Sequence, residues 1–189
     1  MLARIIQYLR KTLLFYSLPG GDQINVHKSF TIGKYRKLYI SGQSTVTIQQ
    51  NVALREFCNI VVEKGAELRI SSNVFFNNHC SINCMERIEI GEDTLIGEGV
   101  KIYDHNHRYV TEPSFEVFKD RFVSSPVSIG KNCWIGSNVT ILKGVSIGDN
   151  VIVGAGCLVH RSIPANHIVK FNSQLIVEPL ENGNREKKA

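Results

Sequence analysis

The sequence predicts an all-β fold, a stacked parallel β-solenoid, and three observations predict it. From Ile129 onward an aliphatic residue recurs at every sixth position, at Ile129, Ile135, Ile141, Ile147, Val153 and Val159. A helix repeats near 3.6 residues and a strand near 2, so a sustained step of six belongs to neither and fits a coil of short strands. A companion row of Cys133, Val139, Val145, Val151, Cys157 and Ile163 keeps the same step, two residues ahead of each expected inward site. The third observation is the residue behind each marker. Gly130, Gly136, Gly148 and Gly154 follow four of them, whereas Leu142 and His160, eighteen residues apart, follow the other two. The repeat is therefore a triangular turn of three hexads. Its corners need residues that tolerate positive φ, which Gly adopts freely and Asn more readily than most, and Asn132, Asn138 and Asn150 fit them.

Taken in order, residues 1–21 stand apart. Leu2, Ile5, Ile6, Leu9 and Leu13 form an apolar stripe at helical spacing, with Arg4, Arg10 and Lys11 elsewhere on the wheel, before Pro19-Gly20-Gly21 ends it. The segment is too short to span a bilayer and lacks a cleavage signal. It suits docking on the solenoid, with an anionic membrane face as the other surface that fits a single amphipathic helix.

Residues 22–175 are expected to form the solenoid. Ile40, Val46 and Val52, then Ile48, Leu54 and Ile60, hold the spacing with almost no glycine, which predicts degenerate early turns. Ile70, Phe76, Ile82 and Ile88 continue the companion row, and Ile90, Ile96 and Ile102 the main one. The beat then fails, because Ile102 and Ile129 are 27 residues apart, not a multiple of six. A loop over residues 104–126 must leave the solenoid, and long excursions from a compact repeat tend to carry function. It opens with Asp104-His105-Asn106-His107, a dense cluster of hydrogen-bonding and titratable groups. Residues 176–189 form a polar tail, expected to fray.

A period of eighteen stacks residues one turn apart at about 4.8 Å. Lys131 then lies under Asp149, Asn132 under Asn150, and Lys143 under Arg161. The last is a repelling pair, which reads either as a solvated basic edge or as a seat for an anion.

Composition sets the outer limits. At 189 residues and 43% hydrophobic content, the chain suits one domain with a core. A net charge of +5 without a basic, aromatic-interleaved stripe argues against nucleic-acid binding. Five cysteines, with Cys133 and Cys157 in the inward row, fit a reducing cytoplasm. Cys80 and Cys84 lack a zinc-ribbon spacing.

The run from Ile129 to Val139, with Trp134-Ile135-Gly136 at its centre, continues through Gly144-Val145-Ser146-Ile147-Gly148-Asp149-Asn150 to Gly154-Ala155-Gly156 and Ile163-Pro164-Ala165-Asn166. Over roughly Asn73 to Val169 the chain resembles the hexapeptide-repeat acyltransferases, in particular the sugar O-acetyltransferases related to galactoside and maltose acetyltransferases. The resemblance implies a left-handed parallel β-helix, a homotrimer with active sites between subunits, and acetyl-CoA as co-substrate with no metal. It makes His107 the general base and Asn77 a contact to the reacting groups. It places Trp134, Ser137 and Ala155 along the coenzyme arm, and Arg161 near the coenzyme phosphates, where the family often has Lys. An imidazole suits proton removal from an attacking hydroxyl near neutral pH, the Asn77 amide could hold the developing oxyanion, and Lys143 beside Arg161 gains an anion to bind.

The expected activity is acetyl transfer to a hydroxyl of a sugar or polysaccharide precursor, in the cytoplasm or at the inner face of the membrane. Other readings are N-acetylation of an aminosugar nucleotide and a zinc enzyme like the γ-class carbonic anhydrases, for which His79, His105 and His107 are the conceivable ligands. His27, His79 and His167 read as structural or surface residues.

Overall fold

In the computed structural model, which describes residues 23–171, every regular element is a strand, and the strands wind into a left-handed prism with three faces. Face A stacks six strands: Gln23–Val26, Thr45–Ile48, Glu67–Ile70, Arg87–Ile90, Val127–Ile129 and Ser146–Ile147. Face B stacks seven: Thr31–Ile32, Ala53–Leu54, Phe75–Phe76, Leu95–Ile96, Trp134–Ile135, Ile152–Val153 and Ile168–Val169. Face C stacks six: Lys37–Ile40, Asn59–Val62, Ser81–Cys84, Lys101–Tyr103, Thr140–Ile141 and Leu158–Val159. All pairings within the faces are parallel, because each coil lies on the one before it with the same chain direction. The amphipathic segment and the polar tail expected at the two ends lie outside the described residues.

Both sequence rows point inward. Ile129, Ile135, Ile141, Ile147, Val153 and Val159 are buried, as are Cys133, Val139, Val145, Val151, Cys157 and Ile163. Strand residues alternate between interior and exterior, so two inward residues separated by one outward residue fill each short side. Phe76 is the largest fully buried side chain.

The early coils are not degenerate hexads but longer turns. Gln23 pairs with Thr45 and Thr45 with Glu67, a step of 22, because the strands on faces A and C there have four residues each instead of two. Glu67 pairs with Arg87, a step of 20, since only Met85 and Glu86 separate Cys84 from Arg87. The eighteen-residue step appears only beyond the excursion, where Ser128 pairs with Ser146.

The corners divide their work differently from the sequence expectation. Asn132, Asn138 and Asn150 do take positive φ, at 54°, 57° and 57°. The glycines behind the markers do not. Gly130 is needed for close approach: a Cβ there would stand 2.5 Å from Asp149 Oδ1 and 2.6 Å from the Gly148 carbonyl carbon in the next coil. Asp149 spends its carboxylate on the backbone N–H of Lys131 (3.0 Å) rather than on the lysine ammonium. The amide ladder does form, with Asn132 Nδ2 donating to Asn150 Oδ1 at 3.3 Å and Asn150 Nδ2 to Asn166 Oδ1 at 2.9 Å.

Candidate active site

The excursion is a β-hairpin, His105–Val110 antiparallel to Glu116–Ser124, leaving the solenoid at the edge between faces C and A. Its base is fixed by Asp104. That carboxylate is wholly buried and accepts backbone N–H groups from Met85 (2.9 and 3.0 Å), Glu86 (2.7 Å) and Arg87 (3.0 Å), the corner where the coil loses two residues. The tight corner leaves these donors pointing inward, and a buried donor without an acceptor is costly. The same residue's carbonyl accepts the N–H of Ser125 (2.8 Å), so one side chain and its backbone hold both the corner and the returning hairpin strand.

Two histidines follow, with different surroundings. His105 donates from Nδ1 to Asp104 Oδ1 (3.1 Å), and its ring meets Tyr103 and Phe122 edge-on, so it is packed into the hairpin base. His107 is exposed, with its ring tilted against Phe122 at 4.7 Å. Its Nδ1 lies 3.0 Å from the Phe118 carbonyl, an atom that can only accept, so the proton sits on Nδ1. Nε2 is left with its lone pair free, which is the tautomer a general base requires.

The other sequence-predicted residues fall into two groups on opposite edges of face C. Asn77, Ser137 and Ala155 occupy the corner between faces B and C, ahead of the face C strands of their coils. Asn77 Oδ1 accepts the N–H of Asn78 (2.9 Å) and faces Arg55 Nη1 at 3.4 Å, which leaves its NH2 uncommitted. Trp134 stands on the adjoining face B, 57% exposed, in register with Leu95 below and Ile152 above. With Phe75 and Ile168 these residues form an exposed apolar column up face B.

His107, Lys143 and Arg161 lie at the far edge, after the face C strands. The register Thr140 to Leu158 and Ile141 to Val159 puts Lys143 and Arg161 one coil apart, and neither is in an ion pair among the described residues. A four-residue strand spans about 13 Å, so the Asn77 edge and the His107 edge do not meet within one chain. For the same reason His79, in the Asn77 corner, does not converge with His105 and His107. Among the described residues no three His, Cys, Asp or Glu side chains gather as a metal site.

The cysteines line the interior. All five are buried as free thiols. Burial pushes Cys84 and Cys133 up, in Cys84 with help from the Asp104 charge. Cys58 and Cys80 donate their thiol protons to the backbone carbonyls of Asn77 (3.2 Å) and Gly97 (3.1 Å), and Cys58 is only 1% exposed. None is placed to attack a bound thioester.

Two features escaped the sequence analysis. Asp104 was noted only as the start of a polar cluster, since nothing in a six-residue beat signals a shortened corner. Tyr35, Phe57 and His79 stack ring on ring, and their 22-residue spacing was the available signal once the early period is known.

Residues 126–161 match the family described as the hexapeptide repeat of succinyl-transferase. That segment carries the hexapeptide repeat. Over 105 residues the chain is 40% identical to the putative lipopolysaccharide biosynthesis O-acetyl transferase WbbJ of Escherichia coli, covering 52% of this chain and 54% of that one. It is 35% identical over 104 residues to the Escherichia coli galactoside O-acetyltransferase, covering 54% and 49% respectively. The chain thus spans about half the length of these curated relatives. The solved structure of the hexapeptide-repeat acetyltransferase VCA0836 from Vibrio cholerae, complexed with acetyl-CoA, matches the fold with a TM-score of 0.50 at 17% identity, covering 96% of this chain and 79% of that one. Among the described residues no helix is long and apolar enough to cross a membrane.

Proposed function

We propose that the protein is an acetyl-CoA-dependent acetyltransferase that acylates a hydroxyl of a sugar or polysaccharide precursor, with His107 as general base. The observation that carries this is the His107 tautomer: Nδ1–H is bound to the Phe118 carbonyl and Nε2 is open on an exposed hairpin. The names of the relatives, an O-acetyl transferase of lipopolysaccharide biosynthesis and a galactoside O-acetyltransferase, support the substrate class.

The chain's own residues fit a thioester carrier. Lys143 and Arg161 stack two cations without an acidic partner, which suits coenzyme phosphates, and Arg can grip a phosphate with two N–H groups. Trp134 offers an exposed face for the pantetheine arm beside the Ser137 and Ala155 corner. In the transfer itself His107 Nε2 accepts the acceptor hydroxyl's proton as its oxygen attacks the thioester carbon. The free NH2 of Asn77 donates to the oxyanion that forms, and the imidazolium returns its proton to the departing thiolate.

Since the two groups of residues sit on opposite edges of face C, the reading requires the His107 edge of one copy to face the Asn77 edge of the next. This supports the homotrimer implied by the family resemblance, with the apolar face B column beside the joint.

The test follows thiol release from acetyl-CoA against a panel of saccharides. His107→Ala should lower kcat on the order of a hundredfold to ten-thousandfold while acetyl-CoA binding stays the same. Thiol release that survives the substitution unchanged would remove His107 from the chemistry.

A further inference from the structure

The corner between faces B and C forms one continuous column, joined by backbone hydrogen bonds from each coil to the next: Phe57 N–H to Lys34 O (3.1 Å), His79 to Glu56 (3.0 Å), Gly99 to Asn78 (2.9 Å), Asn138 to Glu98 (2.7 Å) and Gly156 to Ser137 (2.8 Å). The residue at each tip has positive φ. In the later coils these tips are Gly99, Asn138 and Gly156, residues that adopt this conformation at little cost. In the first three coils they are Tyr35, Phe57 and His79, with φ of 52°, 59° and 60°. Bulky rings at positive φ are unfavourable, yet three stand in succession.

The rings stack nearly parallel, Tyr35 on Phe57 at 4.9 Å and Phe57 on His79 at 4.8 Å. Mutual stacking offsets part of the backbone strain, but it does not explain where the stack stops. It stops at His79, because the next tip is Gly99. Among the described residues no further ring stacks on the upper face of the imidazole. Polar groups surround that opening: Lys101 Nζ donates to the Gly99 carbonyl at 3.2 Å, and Asn138 Oδ1 leans over Gly99 into the space a Cβ would take. Asn77, with its uncommitted NH2, lies in the same corner two residues before His79.

We propose that the open face of His79 is a stacking site for one pyranose ring of the acceptor, which continues the aromatic column as its next step. A pyranose presents a face of C–H bonds that rests on a π-face, while its hydroxyls point outward to the flanking polar groups. The inference rests on the acetyltransferase reading and gives it an orientation. The acceptor lies toward the N-terminal coils, along Tyr35, Phe57 and His79, and the coenzyme arm lies toward the C-terminal coils, along Ser137 and Ala155. The two meet beside Asn77.

The test uses the full-length protein and saturation-transfer NMR with lactose, maltotriose and chitotriose as probes, each at roughly 10 mM to suit a contact of about millimolar affinity. Irradiating the aromatic protons should transfer magnetisation to sugar ring protons of at least one probe. His79→Asn removes the ring while keeping a residue that tolerates the corner, and should abolish the transfer. Gly99→Asn leaves the stack intact but covers its open face, and should do the same. In the acetyl-transfer assay both variants should raise the acceptor KM about tenfold without changing acetyl-CoA binding, and both should keep a cooperative thermal transition. Transfer that is absent with all three probes, or that persists in both variants, would overturn the stacking site even if acetyl transfer proceeds. Saccharide transfer that depends on His79 in a protein that fails to bind acetyl-CoA would instead overturn the enzyme reading and leave the sugar site standing.

Discussion

Replacing Asp104 by Ala should both destabilise the solenoid and detach the hairpin that carries His107. The carboxylate is buried and satisfies the backbone N–H groups of Met85, Glu86 and Arg87 together with His105 Nδ1. Each buried donor left without an acceptor costs about 1–3 kcal/mol, so three orphaned backbone groups, one of them reached by water, amount to about 2–6 kcal/mol. For a chain of 189 residues at roughly 2–4 °C per kcal/mol, the melting temperature should fall by about 4–24 °C. Circular dichroism at fixed protein concentration measures this, the concentration being held because assembly would shift the midpoint. Asp104→Asn is the informative partner. Its remaining oxygen can still serve Glu86 and Arg87, and the principal loss is the acceptor for His105, so its cost should be about 1–2 kcal/mol. Turnover should drop in both variants, since His107 stands three residues beyond the anchor, on the strand that begins at His105. A melting temperature within about 3 °C of the parent in Asp104→Ala would refute the claim that this carboxylate holds the shortened corner.

Other expectations follow from particular contacts. Trp134 is the sole tryptophan and is exposed on face B, so titration with acetyl-CoA should change its fluorescence, and Trp134→Ala should weaken binding; an unchanged emission at saturating acetyl-CoA would place the arm elsewhere. A disulfide reagent should label none of the five thiols in the native protein within minutes and all five after unfolding, and rapid native labelling of Cys58 would contradict its burial. Gly130→Ala forces a Cβ against the backbone of the next coil and should cost about 1–3 kcal/mol, whereas Gly65→Asn, at positive φ with open space around it, should stay within about 0.5 kcal/mol; equal melting temperatures for the two would undo the assignment of close approach to Gly130.

The comparison of residues with coordinates is uneven along the chain for a physical reason. In the later coils two inward rows at a constant step leave no other arrangement that buries both, so Ile129 to Val159 and their companions reveal the coil, its corners and the point where the hairpin leaves. In the early coils the same inward alternation continues through four-residue strands, and a six-residue template reads the added pairs as noise. The glycines behind the markers look like turn formers until the next coil's backbone is seen 2.6–2.7 Å from where a Cβ would be at Gly130.

Periodicity and composition were enough to establish a parallel solenoid with an excursion, because those properties repeat locally along the chain, and the family resemblance nominated Trp134, Asn77 and His107. The tautomer of His107, the anchoring of its hairpin by Asp104, and the separation of the nominated residues onto two edges of face C needed the folded chain. Each depends on atoms distant in sequence: the Phe118 carbonyl, the Met85 to Arg87 amides, and the width of a strand layer that no linear pattern records.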